Sequence, residues 1–387
     1  MRRLSVLDWI RIGLLAAGLL SVATGLLPFD DAGDSLARVG PLLVFLIGVI
    51  VLAELAKEAQ VFDAIAERVA IAGRGNYLAL FLLCTAFASL VTMFLNLDTT
   101  AVLLTPVMLA LAARTGIAAL PLAMTTVWLA NTASLLLPVS NLTNLLAMNR
   151  IDLSTRDFAA RMWAPQLAAI AVTMVFLWVF YWRAGARGEQ RYTPPTPHPI
   201  ADRPLFAISG AACLLFIAAL VTEVAPAVAA PVAAAVVVVA FAVRDRGKLS
   251  WSLIPWQLVV FVCGLFLVVP TLMRFGLHDV IEFLVGEGEQ RAALAGAAMS
   301  NLINNLPAYV AGEEVIPPEA GDQLLALLIG SNVGPLITPW ASLATLLWFE
   351  WCRRREITVP LPMFMLTGAG LAVAGVAASV AALTLTG

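Results

Sequence analysis

Charge is what this chain is short of. Asp, Glu, Lys and Arg together make up 12% of its 387 residues, and histidine occurs only twice. So little charge, with a mean hydropathy of +0.92, excludes an ordinary soluble globular protein. A formal net charge of −2, without a basic tract, excludes a nucleic-acid-binding surface. Four cysteines (Cys84, Cys213, Cys263, Cys352) are scattered with no CxxC pair, and read as small core residues. No Walker A run or HExxH occurs, and His198 and His278 leave no Ser-His-Asp set. ATP hydrolysis by this chain is excluded, and neither an enzyme nor a cofactor is expected.

What is present is a series of apolar runs of about 20 residues, the length that spans a bilayer. The first continues from Ile10 to Pro28 without a small-residue cleavage site and reads as a retained helix. A second runs from Leu36 to Ala56, and Lys57 to Ile71 reads as an amphipathic helix in the interface. The expectation is a multi-pass protein of the cytoplasmic membrane, with the lipid bilayer as its first partner.

Two polar, helix-breaking stretches interrupt these runs: LANTASLLLPVSNLTNLL from Leu129 and GSNVGPLITPWASLATLL from Gly330. At an offset of 201, Asn131 meets Asn332 and Pro138 meets Pro339. An unpaired backbone group in hydrocarbon costs several kcal/mol, so broken backbone survives only inside protein or along a cavity. Broken helices in matching halves point to a transporter's binding site. A second offset, 216, superposes VFLIG at Val44–Gly48 on VFVCG at Val260–Gly264. Two further polar interruptions, Asn96–Thr100 and Ser300–Pro307, suit the tips of re-entrant hairpins; the arms of the first span about twenty and fourteen residues.

Lys and Arg in short loops mark the cytoplasmic side. The rule sends the N-terminus, Lys57–Arg74, Arg183–Arg203, Arg244–Lys248 and Arg353–Arg355 inside, and the acidic links, Glu313–Asp322 among them, outside. Arg150, Arg156 and Arg161 then fall outside against the rule. The resulting fold class is an all-α polytopic membrane protein of inverted repeats, with two re-entrant hairpins and two discontinuous transmembrane helices. Its expected units are 1–182 (first repeat), 183–204 (cytoplasmic linker, containing His198), 205–222 (extra transmembrane helix) and 223–387 (second repeat).

The four polar elements offer amides, hydroxyls and freed backbone. Candidate substrate-binding residues are Asn96, Thr99, Asn131, Thr132, Ser134, Asn141, Asn304, Asn305, Asn332, Thr338 and Ser342. Asp98 is the only carboxylate among them, and an intramembrane carboxylate defaults to a functional reading, here proton coupling. No Lys or Arg lies in these elements, so a dianion would face Asp98 without a side-chain countercharge. The set suits a neutral polar solute.

At Leu97–Pro106, Asn131–Ser134, Val139–Leu142, Asn304–Pro307, Gly334–Pro339 and Ser342–Trp348, the chain resembles the arsenite efflux permeases of the ion transporter superfamily. That resemblance implies an inner-membrane carrier exporting arsenite or antimonite as neutral hydroxides. It also implies a proton gradient, or an ATPase subunit in some systems, as energy source, and a homodimer as assembly. The chain departs from the family pattern in carrying asparagine at Asn131 and Asn332, where aspartate is frequent, and Leu336, where lysine is frequent. The other readings are a sodium-coupled (di)carboxylate or inorganic anion carrier, a sodium–proton antiporter, and, more remotely, a channel or a non-transporting scaffold.

Overall fold

In lipid every backbone N–H and C=O must be bonded within the chain, and long apolar runs therefore fold as helices. The protein, a computed structural model, is described over residues 6–183, 192–196, 199–222 and 224–386, and no strand occurs among them. In order the helices are α1 (Val6–Ala23), α2 (Phe29–Glu58), α3 (Val61–Ala72), α4 (Tyr77–Leu95), α5 (Leu97–Thr115), α6 (Ala119–Thr132), α7 (Leu142–Arg150), α8 (Thr155–Leu177) and α9 (Arg203–Val221). There follow α10 (Pro226–Arg244), α11 (Trp256–Leu272), α12 (His278–Val285), α13 (Glu289–Ile303), α14 (Asn305–Glu314), α15 (Gly321–Val333), α16 (Leu343–Arg354) and α17 (Leu361–Thr386). Eight helical stretches of the described residues are long and apolar enough to cross a membrane. The chain is an all-α, multi-pass membrane protein.

Helices α6 and α15 sit at the centre, with every residue from Pro121 to Thr132 and from Leu324 to Val333 buried. Around them α5 packs on α6 and α16, α8 on α17, and α13 on α15. Helix α1 packs on α11, and α2 on α10, through glycines that let backbones approach. A Cβ on Gly48 of α2 would stand 2.7 Å from the Pro231 nitrogen and 2.8 Å from the Ala230 carbonyl carbon. One on Gly264 of α11 would stand 2.6 Å from the Leu15 nitrogen and 2.9 Å from the Leu14 carbonyl carbon. All three positions of each contact differ by 216, so the echo between VFLIG and VFVCG carries a repeated helix–helix contact.

Several boundaries differ from the sequence reading for identifiable reasons. Helix α2 starts at Phe29 because Asp30 and Asp31 suit a helix N-terminus, and it continues to Glu58. The amphipathic helix begins only at Val61, after a turn at Gln60 with φ 66°. Helix α5 takes Asp98, Thr99 and Thr100 into its first turns, so the first hairpin has arms of 19 residues each and its tip narrows to Asn96. The stretch around Arg187, Arg191 and His198, and Glu223, fall outside the described residues.

Glu313, assigned from sequence to an exposed acidic link, is fully buried at the end of α14 and pairs with Arg38 of α2 at 2.8 Å. Arg150 acts electrostatically on the same carboxylate, and Arg161 is paired with Asp322. Two of the three arginines that sat against the positive-inside rule are therefore countered by carboxylates within the protein. On the opposite, basic face, Asp202 caps α9 by accepting from the Leu205 N–H and pairs with Arg244 at 2.9 Å. These two contacts hold its carboxyl below the usual range.

Gly330 of α15 tests the close packing: a Cβ there would come within 2.0 Å of the Ala293 carbonyl oxygen, whereas one on Gly210 meets nothing within 4 Å. Gly330→Val should lower thermal stability in detergent by about 1–3 kcal/mol or more, the usual cost of overpacking. Gly210→Val should leave the melting profile unchanged.

Candidate functional site

The two hairpins turn on asparagines in the same unusual conformation. Asn96, between α4 and α5, has φ 95° and ψ 151°; Asn304, between α13 and α14, has φ 104° and ψ 151°. This region is glycine territory and costs a side-chain-bearing residue roughly 1–3 kcal/mol. Asparagine offsets part of that cost by capping the next helix. Asn96 Oδ1 accepts from the Asp98 N–H at 2.8 Å, and Asn304 Oδ1 from the Leu306 N–H at 3.4 Å.

The two helix breaks, residues 133–141 and 334–342, also end alike. Asn141 (φ −153°, ψ 144°) caps α7 and Ser342 (φ −139°, ψ 154°) caps α16. The breaks are braced across one another. Asn332, at the end of α15, accepts from Thr143 Oγ1 at 2.8 Å and donates to Asn144 Oδ1 at 2.7 Å, both in the first turn of α7. Asn131, at the end of α6, donates to Val127 O at 2.9 Å and to Thr345 Oγ1 of α16 at 3.4 Å. Each broken helix thus holds the start of the other's second half.

What satisfies the freed backbone differs between the two breaks. In the first, Gln166 of α8 accepts from the Leu135 and Leu136 N–H groups at 2.7 and 3.0 Å and donates to Thr132 O at 2.9 Å. In the second, Asn301 of the hairpin takes that role, accepting from the Ile337 and Thr338 N–H groups and donating to Gly334 O. The second tip is tied down as well, because Asn304 Nδ2 donates to Trp340 O at 2.9 Å and the Asn305 N–H to Ala341 O at 2.8 Å. Among the described residues the first tip makes no such bond to its own break.

The first tip instead meets the other break. Asp98 lies by the first turn of α16, where the Ala344 N–H acts electrostatically on its carboxylate. A helix N-terminus favours an anion by about 0.3–1 kcal/mol, up to ~2 when partly buried. That recovers part of the roughly 3 kcal/mol that a mid-membrane carboxylate costs. Asp98 and Thr99 line a cavity of about 230 Å³ with Arg11 of α1, Glu54 of α2, and Ser252 and Gln257 from the segment before and into α11. The cavity therefore lies toward the face that carries Lys57, Arg246 and Lys248.

Four buried polar atoms of the candidate residues have no protein partner. Asn96 Nδ2, Thr99 Oγ1, Asn131 Oδ1 and Asn141 Nδ2 are all in this class, and all belong to the first hairpin and first break. Their counterparts Asn304 and Asn332 are bonded. The remaining candidates are internal braces: Thr132 donates to Trp128 O, Ser134 to Asn131 O, Thr338 to Asn301 O, and Ser342 shares a bond with Thr345. Asn305 is buried and enters through its backbone N–H.

Sequence reasoning missed Gln166, Asn144 and Asn301, each a buried amide that closes a break. Gln166 lies outside the breaks and tips, whereas Asn144 and Asn301 lie within those polar stretches but were not among the candidate ligands. It also missed Arg11, which it placed at the membrane surface; the structure puts a guanidinium on the wall of the Asp98 cavity. The expectation of no countercharge at Asp98 is therefore corrected. The four cysteines lie on α4, α9, α11 and α16, and none lines the cavity.

Comparison with known proteins places this geometry. Residues 4–318 match the family model described as citrate transporter. The chain is 29% identical over 371 residues to an arsenical pump membrane protein of Escherichia coli, covering 88% of this chain and 85% of that one. It is 23% identical to a putative arsenical pump membrane protein of Bacillus subtilis, covering 88% and 86%. Among solved structures, the Alcanivorax borkumensis YdaH transporter, described as having an unusual topology, superposes with a TM-score of 0.58. That alignment covers 98% of this chain and 97% of the other at 14% identity, and it shows a shared fold.

Braces and unpartnered atoms should respond oppositely to substitution. Asn144→Leu strands Asn332 Nδ2 and takes one of the bonds from each of the Ser134 and Leu137 carbonyls, which keep Ser140. At about 1–3 kcal/mol per stranded group, it should lower the detergent melting temperature by many degrees. Thr99→Val removes a hydroxyl that bonds nothing in the protein, and should leave the melting temperature unchanged or raised. Differential scanning fluorimetry of the purified variants reads both outcomes.

Proposed function

We propose that this chain, which belongs to the citrate transporter family, is a secondary carrier that exports trivalent arsenic or antimony as its neutral hydroxide in exchange for protons. It is a multi-pass protein of the cell membrane, in a family of ion transporters. The substrate and the coupling ion are our reading. One observation carries it: the unpartnered polar atoms Asn96 Nδ2 and Thr99 Oγ1 belong to the tip that carries Asp98, and Asn131 Oδ1 and Asn141 Nδ2 to the break of the same half. They offer two amide donors, an amide acceptor and a hydroxyl, a set that suits a small solute bearing several O–H groups.

Charge argues for a neutral solute over citrate. The cavity wall carries one guanidinium, Arg11, against two carboxylates, Glu54 and Asp98. A tricarboxylate would meet net negative charge in a site of low dielectric, where like charges repel strongly. An uncharged hydroxide meets no such barrier, and a proton and the hydroxide then compete for the single carboxylate at the tip.

The repeated contacts at Gly48 and Gly264, the matched tips and the matched caps support a further reading of the chain as two inverted repeats. Residues 1–182 and 223–387 would form the repeats, 183–204 a linker and α9 the unmatched helix. In this reading both hairpins are re-entrant, and the cavity faces the cytoplasm. The first tip moves to expose the site alternately to the two sides, while the second stays docked on its break. A homodimer and an ATPase subunit remain expectations from the family alone.

Everted membrane vesicles test the function. Arsenite accumulation should require an inward-acid pH gradient and collapse when the gradient is dissipated; accumulation indifferent to the gradient removes the antiport. Asp98→Asn should fold normally and lose gradient-driven accumulation by at least roughly tenfold, since its carboxylate is the titratable group of the site.

A further inference from the structure

Arg11 lies within the apolar run of α1, with a side chain only 11% exposed. Its Nη1 stands 3.1 Å from Asp8 Oδ1, one turn earlier on the same helix. It also lines the cavity that Asp98 enters from α5, and its charge acts on the Asp98 carboxylate. The other charges around this cavity are a self-contained pair on α2, with Lys57 Nζ 3.3 Å from Glu54 Oε2. Helix α16 and the segment 252–258 bring no charged side chain to the wall.

Among the described residues the neighbourhood holds two cations, Arg11 and Lys57, and three carboxylates, Asp8, Glu54 and Asp98. Lys57 is committed to Glu54, and Arg11 faces two carboxylates, Asp8 and Asp98. These two differ in their mounting. Asp8 shares α1 with Arg11, and α1 is locked to α11 where Gly264 meets Leu14 and Leu15 and Gly18 meets Leu267. Asp98 sits in the first turn of α5, on a tip that no hydrogen bond ties to its own break.

We propose that Arg11 is a stationary counter-ion for Asp98, shared with Asp8, and that it enforces coupling by making the departure of a bare Asp98 carboxylate costly. This inference rests on reading Asp98 as the coupling group. While the tip is near α1, the guanidinium balances the charged carboxylate and the proton is free to leave. When the tip moves away, Arg11 stays with Asp8, and Asp98 travels only when protonated or capped by the O–H groups of its substrate. Arg11 acts through Asp98 and is a positioning residue rather than a ligand of the solute.

The test reads the protonation of Asp98 without requiring transport. A hydrophobic carbodiimide modifies buried carboxyl groups in their protonated form. Labelling of Asp98 in purified full-length protein is measured by peptide mass spectrometry as a function of pH. Arg11→Gln removes the countercharge and should carry the labelling profile to higher pH, by about one unit or more. Asp8→Asn releases Arg11 to Asp98 and should carry the profile the other way. Coincident profiles for Asp8→Asn and the unsubstituted protein overturn the proposal, as does a shift of both variants in one direction. Should Arg11→Gln fail to fold, the direction of the Asp8→Asn shift decides alone. Slower labelling in the presence of arsenite bears separately on the substrate, so a wrong substrate and a wrong counter-ion give different results.

Discussion

A backbone amide or carbonyl in a nonpolar interior has to be bonded, and two central helices of this chain stop halfway. Most of the structure around them follows from that constraint. Gln166 supplies the missing partners of the first break, and Asn301 those of the second. The asparagines that end the first halves, Asn131 and Asn332, reach across to the opposite second halves. Closing the two breaks on each other produces a polar centre held by hydrogen bonds between side chains and freed backbone. The stretches that looked most like a ligand cage are, in large part, the means by which the chain tolerates its own discontinuity.

The bonding is uneven, and the unevenness separates function from architecture. The second tip is bound to its break through Asn301, Asn304 and Asn305. The first is bound to neither partner of that kind and instead directs Asp98 at the N-terminus of α16. Among the asparagines, threonines and serines of the tips and breaks, the unpartnered buried atoms belong to the first tip and first break. In the proposed reading, a site built from unpaired groups and the Asp98 carboxylate, with a guanidinium within electrostatic reach, exchanges a proton for a small hydroxylated solute. In that reading the docked second tip is the fixed reference against which the first moves.

Much of the fold was legible in the sequence, because length and apolar periodicity identify membrane helices, and because Asn and Pro inside such helices announce where they break. The expected equivalence Asn131–Asn332 corresponds to matched places, each one residue before the end of its helix, and the two tips turn on Asn96 and Asn304 in matched backbone conformations. Partner choice was not legible. Nothing in the local sequence distinguishes Gln166 on α8 or Asn144 on α7 from an ordinary buried amide, and which hairpin is tied to its break depends on tertiary contacts. The charges misled for a related reason. Arg11 and Glu313 lie near the ends of apolar segments, where sequence favours a place at the surface, yet both are drawn inside by partners on other helices. Asp98 was found because a lone carboxylate inside an apolar hairpin is costly wherever the chain folds.

The central claim is that solute engages the first hairpin tip while the second remains docked, and hydrogen–deuterium exchange on the purified protein addresses it directly. Addition of arsenite should slow exchange in the peptide containing Asn96–Thr100 and leave the peptide containing Asn304–Ala308 unchanged. Protection confined to the second tip, or equal at the two, would contradict the account.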